Sequence, residues 1–370
     1  MRYFFWWVWV AIGCGSPKTA DTGSGDDQEV DPLSWSVEAP GPFQTGYRSW
    51  EVSYSPGEGF PDRTIRLNLW YPTEVESGPT SLYTIGIDEA AFDSAAPATS
   101  VYAEGFPVHV YSHGFRGYGA ASAFMARHFA SHGWVTVAPD HINNTIVDHN
   151  DPLPSAHYFH RPLDVRAVLD ALASLPEDDP LSDQINLSSA MLSGHSFGAY
   201  TTWATVGATY DTENVAEMCA TGEGIHDDGC TAEEEAMFAT DLSDPRVVST
   251  FPMAGSFRRT WFGDSGEMSV AGPVMFLGGT NDDVGQQEQF ESMGAIDFTW
   301  VEIEGGCHQT FALGACPSLE TDLGFHITQS YALSFARVTV LGDSSAETTG
   351  IVSGDVSISD LVTTKRLLGG

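Results

Sequence analysis

The apolar residues of this chain gather in short runs punctuated by Gly, Pro, Asn and Asp, and several runs are followed by stretches of helical period. Residues 50–54 and 64–71 are apolar-rich and flank Pro56-Gly57-Glu58-Gly59, so they predict an antiparallel strand pair that opens a sheet. Residues 72–105 carry no sustained period and read as irregular. Residues 106–111 predict a strand, 120–132 a helix and 134–138 another strand, an order that implies a right-handed parallel crossover. In 161–175 the apolar positions 165, 168, 169 and 172 line one helix face, with Pro162 near its start.

The alternation continues past a second strand–helix junction. Ala190-Met191-Leu192 is a short buried strand, and 197–206 is a helix in which Gly198 is the one weak position. Residues 208–245 interrupt the pattern as an acidic insertion containing Glu233-Glu234-Glu235. A helix is expected there from Thr231, capped in the S/T-x-x-E manner. Strands follow at 247–253, 274–277 and 297–303, then a helix at 325–340; residues 341–370 alternate too weakly to assign, and no repeat is visible. Strands and helices in turn predict an α/β fold, a mostly parallel sheet flanked by helices.

Composition sharpens this picture. A chain of 370 residues suits one α/β domain of about 250–300 residues with extensions. The expected division is a signal segment at 1–14, a flexible acidic linker at 15–45, the main domain at 46–340 with the insertion as its cap, and an extension at 341–370. A net charge of −35 makes nucleic acid and anionic membrane surfaces poor partners. Lys18 and Lys365 are the two lysines; such a balance suits high salt, or simply reflects an acidic linker and lid.

At the N-terminus Arg2 precedes an apolar run over 3–12, too short for a spanning helix of about 20 residues, so it reads as an export signal. Ala11-Ile12-Gly13-Cys14 resembles a bacterial lipobox, with Ala11 in place of the usual leucine, and Cys14 is the expected lipidation site; a plain secretory signal is the alternative. Cysteines 219, 230, 307 and 316 form an even set, which in an exported chain favours disulfides. Of three pairings, the nearest-neighbour one, Cys219–Cys230 with Cys307–Cys316, is expected. Their spacing does not make a zinc set, and the acidic insertion lacks the D-x-D-x-D-G spacing of a calcium loop.

Gly194-His195-Ser196-Phe197-Gly198 places a G-x-S-x-G motif between a strand and a helix, which makes Ser196 the candidate nucleophile. A serine hydroxyl needs a base and a third group orienting that base. Asp282 and His308 each fall just past a predicted strand, completing the order Ser, Asp, His; adjacent Asp283 competes for the middle place. Backbone N–H groups of Phe115 and Phe197 are the candidate oxyanion donors. His113 reads as a loop hydrogen-bonder, as do His141 and His149 in the stretch 139–154.

The segments LNLWYP (67–72), VYSHGFRG (110–117), VAPDHINNT (137–145), RPLDVRAVLDAL (161–172), GHSFGAYT (194–201), LGGTND (277–282) and GGCHQTF (305–311) together resemble the predicted dienelactone hydrolases. That group of the α/β-hydrolase superfamily lies near platelet-activating-factor acetylhydrolases and cutinase-like polyester hydrolases. The resemblance covers roughly 46–340 and implies an α/β-hydrolase fold, a triad of Ser196, Asp282 and His308, and an oxyanion hole at Phe115 and Phe197. The strand end near Ala254-Gly255 lacks the early acid of the acetylhydrolases, and Ala199 stands where a second glycine is usual. The long stretch between Ser196 and Asp282 lets the insertion close a groove that cutinases leave open.

The expected function is thus an exported serine esterase cleaving small to medium carboxylic esters through an acyl-enzyme, with no metal or organic cofactor. The expected partner is a small-molecule or lipid ester, with the membrane reached only through a lipid anchor and the chain a monomer. A phospholipase A2-like acetylhydrolase, a polyester hydrolase and an inactive hydrolase-fold binding protein are the alternatives.

Overall fold

The computed structural model describes residues 31–222 and 229–369; the signal segment, Cys14 and the first part of the linker lie outside them. In chain order the strands are β1 (Gln44–Tyr54), β2 (Arg63–Thr73), β3 (Thr80–Tyr83), β4 (Gly86–Asp93), β5 (Phe106–Ser112) and β6 (Val135–Asp140). They continue as β7 (Ile185–His195), β8 (Val247–Met253), β9 (Val274–Gly279), β10 (Phe298–Ile303) and β11 (Val362–Leu367). Among the described residues they build an 11-stranded sheet ordered β11-β10-β9-β8-β7-β5-β6-β2-β1-β4-β3. All neighbours from β10 to β6 are parallel, while β2 joins β6, and β11 joins β10, antiparallel.

The central strands are parallel because helices cover both faces, and their sequences show it. Strands β5, β6 and β9 are buried at every position, the condition that favours unbroken apolar runs over alternation. One face packs on α1 (Ala123–Ser131), α8 (Thr321–Val340) and α9 (Ala346–Ser353), with Phe129, Met191, Leu277 and Tyr331 in that layer. The other face packs on α2 (His157–Ala173), whose Val165, Val168, Leu169 and Leu172 meet Val108, Val110, Val137 and Leu192. Helix α3 (Phe197–Thr205) lies beside α2. This mostly parallel sheet covered by helices on both faces is the α/β-hydrolase fold expected from the sequence.

The insertion folds as α4 (Thr212–Thr221) and α5 (Ala232–Met237), joined by the Cys219–Cys230 disulfide. Thr231 and Glu234 form the expected capping box at the start of α5. Its Tyr210 and Phe238 join an aromatic cluster with Tyr158, Tyr200 and Trp261 on α2, α3 and the short helix α6 (Arg259–Phe262). Helix α7 (Gln286–Ser292) lies between β9 and β10.

Four expectations require correction. Residues 32–43, assigned to a flexible linker, are clamped to the domain: Arg337 donates to the carbonyl of Trp35 (2.7 Å), His128 to Val37 (2.9 Å) and His132 to Ala39 (2.9 Å). Helix α2 starts at His157, so Pro162 lies inside it rather than near its first turn. The Tyr158 carbonyl, which proline leaves without its helical donor, instead accepts the hydroxyl of Tyr200 at 2.8 Å. The stretch 72–105 contains the β3–β4 hairpin, anchored where Trp70 Nε1 donates to Tyr83 Oη at 2.8 Å. The extension 341–370 supplies α9 and β11, whose Lys365 Nζ lies 4.1 Å from the centre of the Trp300 ring.

The core is rich in neutral histidine. Burial pushes His109, His128, His141 and His160 down to about 3, and His132, His157 and His195 to about 4. Their folded values lie below the ordinary 6.5, so the unfolded chain binds protons first as pH falls. Stability from these groups is therefore full above pH 6.5 and is lost on descent toward pH 4 and 3. The limiting slope is about 1.4 kcal/mol per pH unit for each group. Urea unfolding at stepped pH is expected to show the midpoint falling steeply below about pH 6. A flat profile from 7 to 4 would mean these imidazoles are hydrated rather than buried.

Candidate active site

Strand β7 ends at His195 and helix α3 begins at Phe197, so Ser196 alone makes the turn, at φ 56° and ψ −113°. A serine in this sparsely allowed region needs surroundings that hold it there. Its N–H donates to the Met253 carbonyl at 2.8 Å, and its carbonyl accepts from Ala199 at 2.9 Å. The turn is possible because its flanks lack side chains. A Cβ on Gly198 would lie 1.9 Å from the Ser112 carbonyl oxygen, and one on Gly194 would lie 2.1 Å from that of Gly198. Both glycines let three backbones meet at the carboxyl edge of the sheet, where open α/β sheets place ligands.

His308 opens the short turn after β10, and Asp282 lies in the turn after β9. The Asp282 carboxylate takes His308 Nδ1 at 3.0 and 3.1 Å, through both oxygens. Asp283 instead accepts the Gly285 N–H at 3.3 Å, a local turn contact just ahead of α7. Gln286 steadies the Asp282 loop by donating to the carbonyls of Asp282 (2.5 Å) and Gly279 (3.0 Å). The Cys307–Cys316 disulfide ties the His308 turn to the chain ahead of α8.

Ser196 and His308 line the same cleft of about 90 Å³, together with Phe115, Tyr118, Ile146 and Leu313. Among the described residues no hydrogen bond joins the Ser196 hydroxyl to His308, and hydrogen bonds of this kind commonly tighten only when substrate arrives. The described residues of the insertion lie outside the cleft lining.

Phe115 sits in the turn Gly114–Gly117, closed by the Gly117 N–H on the Gly114 carbonyl at 3.0 Å. That bond leaves the N–H of the second turn residue, Phe115, uncommitted. A Cβ on Gly114 would come within 3.2 Å of Ser196 Cβ, which sets the turn directly against the serine. Phe197, as first residue of α3, has no intrahelical acceptor for its N–H. Two free amides therefore flank Ser196, one from each side.

His113 is fully buried; its Nδ1 donates to the Gly114 carbonyl (2.7 Å) and its Nε2 accepts the His141 N–H (3.0 Å). His141 bridges Ser112 Oγ (2.9 Å) and Asp164 Oδ2 (2.9 Å). Burial alone would raise the Asp164 carboxyl, but Arg63 and His141 hold it well below the usual range. His149 is exposed, on the loop over β6. Among the described residues no set of three or more His, Cys, Asp or Glu side chains is arranged to hold a metal.

Sequence reasoning missed His195, the variable residue of the motif. Its Nε2 donates to the His308 carbonyl at 2.7 Å, and the two rings lie 4.9 Å apart. Burial pushes its imidazole down to about 4, so it serves near neutral pH as a neutral strut under the His308 turn. A ring-sized polar residue one place before Ser196 was the available signal.

No family model matches the chain, and neither does any curated protein. Among solved structures it is similar to a ferulic acid esterase from Streptomyces cinnamoneus, with a TM-score of 0.60 over 89% of this chain and 98% of that one, at 18% identity. At that identity the likeness concerns the fold: a mostly parallel α/β sheet of the hydrolase type.

Gly198→Ala drives a Cβ into the Ser112 carbonyl and is expected to cost about 3 kcal/mol in urea unfolding. Wild-type stability in that variant would show that α3 starts farther from β5 than the geometry requires.

Proposed function

We propose that this chain is an exported serine hydrolase of carboxylic esters, working through an acyl-enzyme. The observation that carries the reading is the Asp282–His308 pair opening on the cleft that holds Ser196 at its strained turn. In this reading His308 Nε2 takes the Ser196 proton as Oγ attacks the ester carbonyl, then returns it to the leaving alkoxide. Asp282 fixes the Nδ1–H tautomer of His308 and stabilises the imidazolium. The N–H groups of Phe115 and Phe197 receive the oxyanion, where each such donor is worth about 2.7–4 kcal/mol. Water, activated by the same imidazole, releases the acid. The reaction so written draws on no metal or organic cofactor.

The cleft is small and walled by Phe115, Ile146 and Leu313, which suits esters of modest size with an apolar or aromatic group next to the carbonyl. The ferulic acid esterase likeness is compatible with this class. A second reading draws on the rim: Phe115, Ile146, Val147 and Leu313 are all exposed apolar side chains, a surface suited to lipid-ester or polyester substrates. Export is supported by the two disulfides, which an oxidising compartment favours. Among the described residues no helix is long and apolar enough to cross a membrane. Anchoring would then fall to an acylated Cys14, which intact-mass analysis of the mature N-terminus tests.

A fluorophosphonate probe is expected to label Ser196, and Ser196→Ala to lose both label and at least about 10⁴-fold in kcat. Asp282→Asn is expected to lower kcat by about 10²–10⁴-fold and Asp283→Asn by less than about 3-fold. Labelling that persists in Ser196→Ala, or turnover of no p-nitrophenyl ester of any chain length, would defeat the reading. Hydrolysis rising with chain length up to emulsified esters would favour the lipid and polymer reading.

A further inference from the structure

Arg161 on α2 is fully buried in a protein whose net charge is −35, and nothing in the reaction described above uses it. Its guanidinium spans the two chain segments that supply the candidate oxyanion donors. On the β5 side Nη2 donates to the His113 carbonyl and, at 3.2 Å, to Ser112 Oγ. Toward α3, Nε donates to Thr201 Oγ1 at 3.0 Å, while the guanidinium carbon lies 4.5 Å from the centre of the Phe197 ring. Nη1 reaches Asn144 Oδ1 at 2.7 Å, on the loop whose Ile146 N–H bonds the Gly117 carbonyl at 2.9 Å.

We propose that Arg161 is a positioning residue for the oxyanion hole, setting the direction of the Phe115 N–H by pinning the His113 carbonyl while stacking against Phe197. The proposal rests on the serine-esterase reading and names how that site is held. A peptide unit is planar, so a guanidinium on the His113 carbonyl fixes the orientation of the 113–114 plane from which the next amide departs. The Gly114 carbonyl is fixed in turn by His113 Nδ1 and the Gly117 N–H. The whole turn is thereby over-determined, which is how a hole keeps its donors aimed before any charge develops.

Charge points the same way. The buried carboxylate nearest in the network, Asp164, is already engaged by Arg63 (3.0 Å), His141 (2.9 Å) and Tyr54 (2.6 Å). Arg161 has no carboxylate of its own among its hydrogen-bond partners. Burial pushes its pKa down to about 9, which still leaves it cationic near neutral pH. Asp164 reaches this cation only through space and not by a hydrogen bond, and a cation under the turn favours a negative oxygen in front of it.

The test uses the full chain, with each variant's active sites counted by fluorophosphonate labelling so that misfolded protein does not enter kcat. Arg161→Lys keeps the charge and loses the fork. Its kcat per labelled site is expected to fall about 10- to 100-fold, less than the 10²–10³ of deleting a donor, with KM within about 3-fold. A trifluoromethyl ketone reports the hole directly: Ser196 Oγ adds to its carbonyl carbon, His308 takes the proton, and the carbonyl electrons become an oxyanion. Its Ki is expected to rise in step with the fall in kcat, and methylguanidinium is expected to restore part of the activity of Arg161→Ala.

Wild-type kcat and Ki in Arg161→Lys, whatever its melting temperature, would overturn the proposal and leave the network purely structural. Should both Arg161 variants fail to fold, Thr201→Val and Thr201→Ser decide together. Val removes both the acceptor of Arg161 Nε and the hydroxyl's own bond to the Phe197 carbonyl (3.3 Å), and Ser restores both. Changes in kcat and Ki that move together in Val and recover in Ser support the proposal, while an unchanged Ki in Val overturns it. Absence of Ser196 labelling in the wild-type chain would instead remove the esterase reading, and this inference with it.

Discussion

The approach of two backbones at the end of β5 governs the rest of the site. Helix α3 enters so close to Ser112 and His113 that no side chain fits at Gly198, and the helix thereby carries the Phe197 amide up to the turn that holds Phe115. Ser196 is held at positive φ by the same junction, with the Met253 carbonyl taking its N–H. Loosening this junction would separate both amides from the hydroxyl at once. The unfavourable backbone of one residue is thus offset by parallel-sheet packing in β5, β7 and β8, whose buried apolar runs define where the strands end.

Polar chemistry beneath that junction is organised by burial. Ser112, His141, Asp164 and Arg63 form a continuous chain of hydrogen bonds between β5, the loop after β6, α2 and β2. Each member satisfies its neighbour, so the charges tolerate the interior and the turn above them has a rigid base. On the other side, His195 under the His308 carbonyl and Gln286 under the Asp282 loop hold the two arms of the Asp282–His308 pair. The insertion stands apart from this arrangement, bound through Tyr210 and Phe238 to the aromatic cluster on α2 and α3. Among its described residues Glu213, Glu217, Glu233, Glu235 and Asp241 are exposed, whereas Asp244 is buried against Arg246.

Much of the fold was legible because parallel strands advertise themselves as unbroken apolar runs. The strands at 106–111, 247–253 and 274–277 and the helices at 120–132 and 325–340 needed no tertiary information, whereas the short α6 and α7 went unassigned. The β3–β4 hairpin escaped because its residues are half exposed at the sheet edge, where alternation is diluted by Gly86 and by acidic side chains. Strand β11 escaped for a similar reason: its partner β10 supplies the burial, and Lys365 covers Trp300 with a charged stem rather than an apolar one. Residues 32–43 do alternate apolar side chains at Leu33, Trp35, Val37 and Ala39, and Val37 is buried in the core. The Pro, Ser and Gly between them nevertheless read as a linker, and the clamp itself runs through carbonyls held by His128, His132 and Arg337. At the candidate site, motif and chain order pointed to the turn at Ser196 and to the Asp282–His308 contact, whereas Arg161 and His195 bond backbone carbonyls that only the folded chain brings near.

The most direct test of this account is a crystal structure of the chain after reaction with a phosphonate ester. It is expected to place phosphorus on Ser196 Oγ, with the phosphonyl oxygen about 3 Å from the nitrogens of both Phe115 and Phe197 and the His308 ring within hydrogen-bond reach. Phosphorus on another side chain, or a phosphonyl oxygen turned away from both amides, would contradict it.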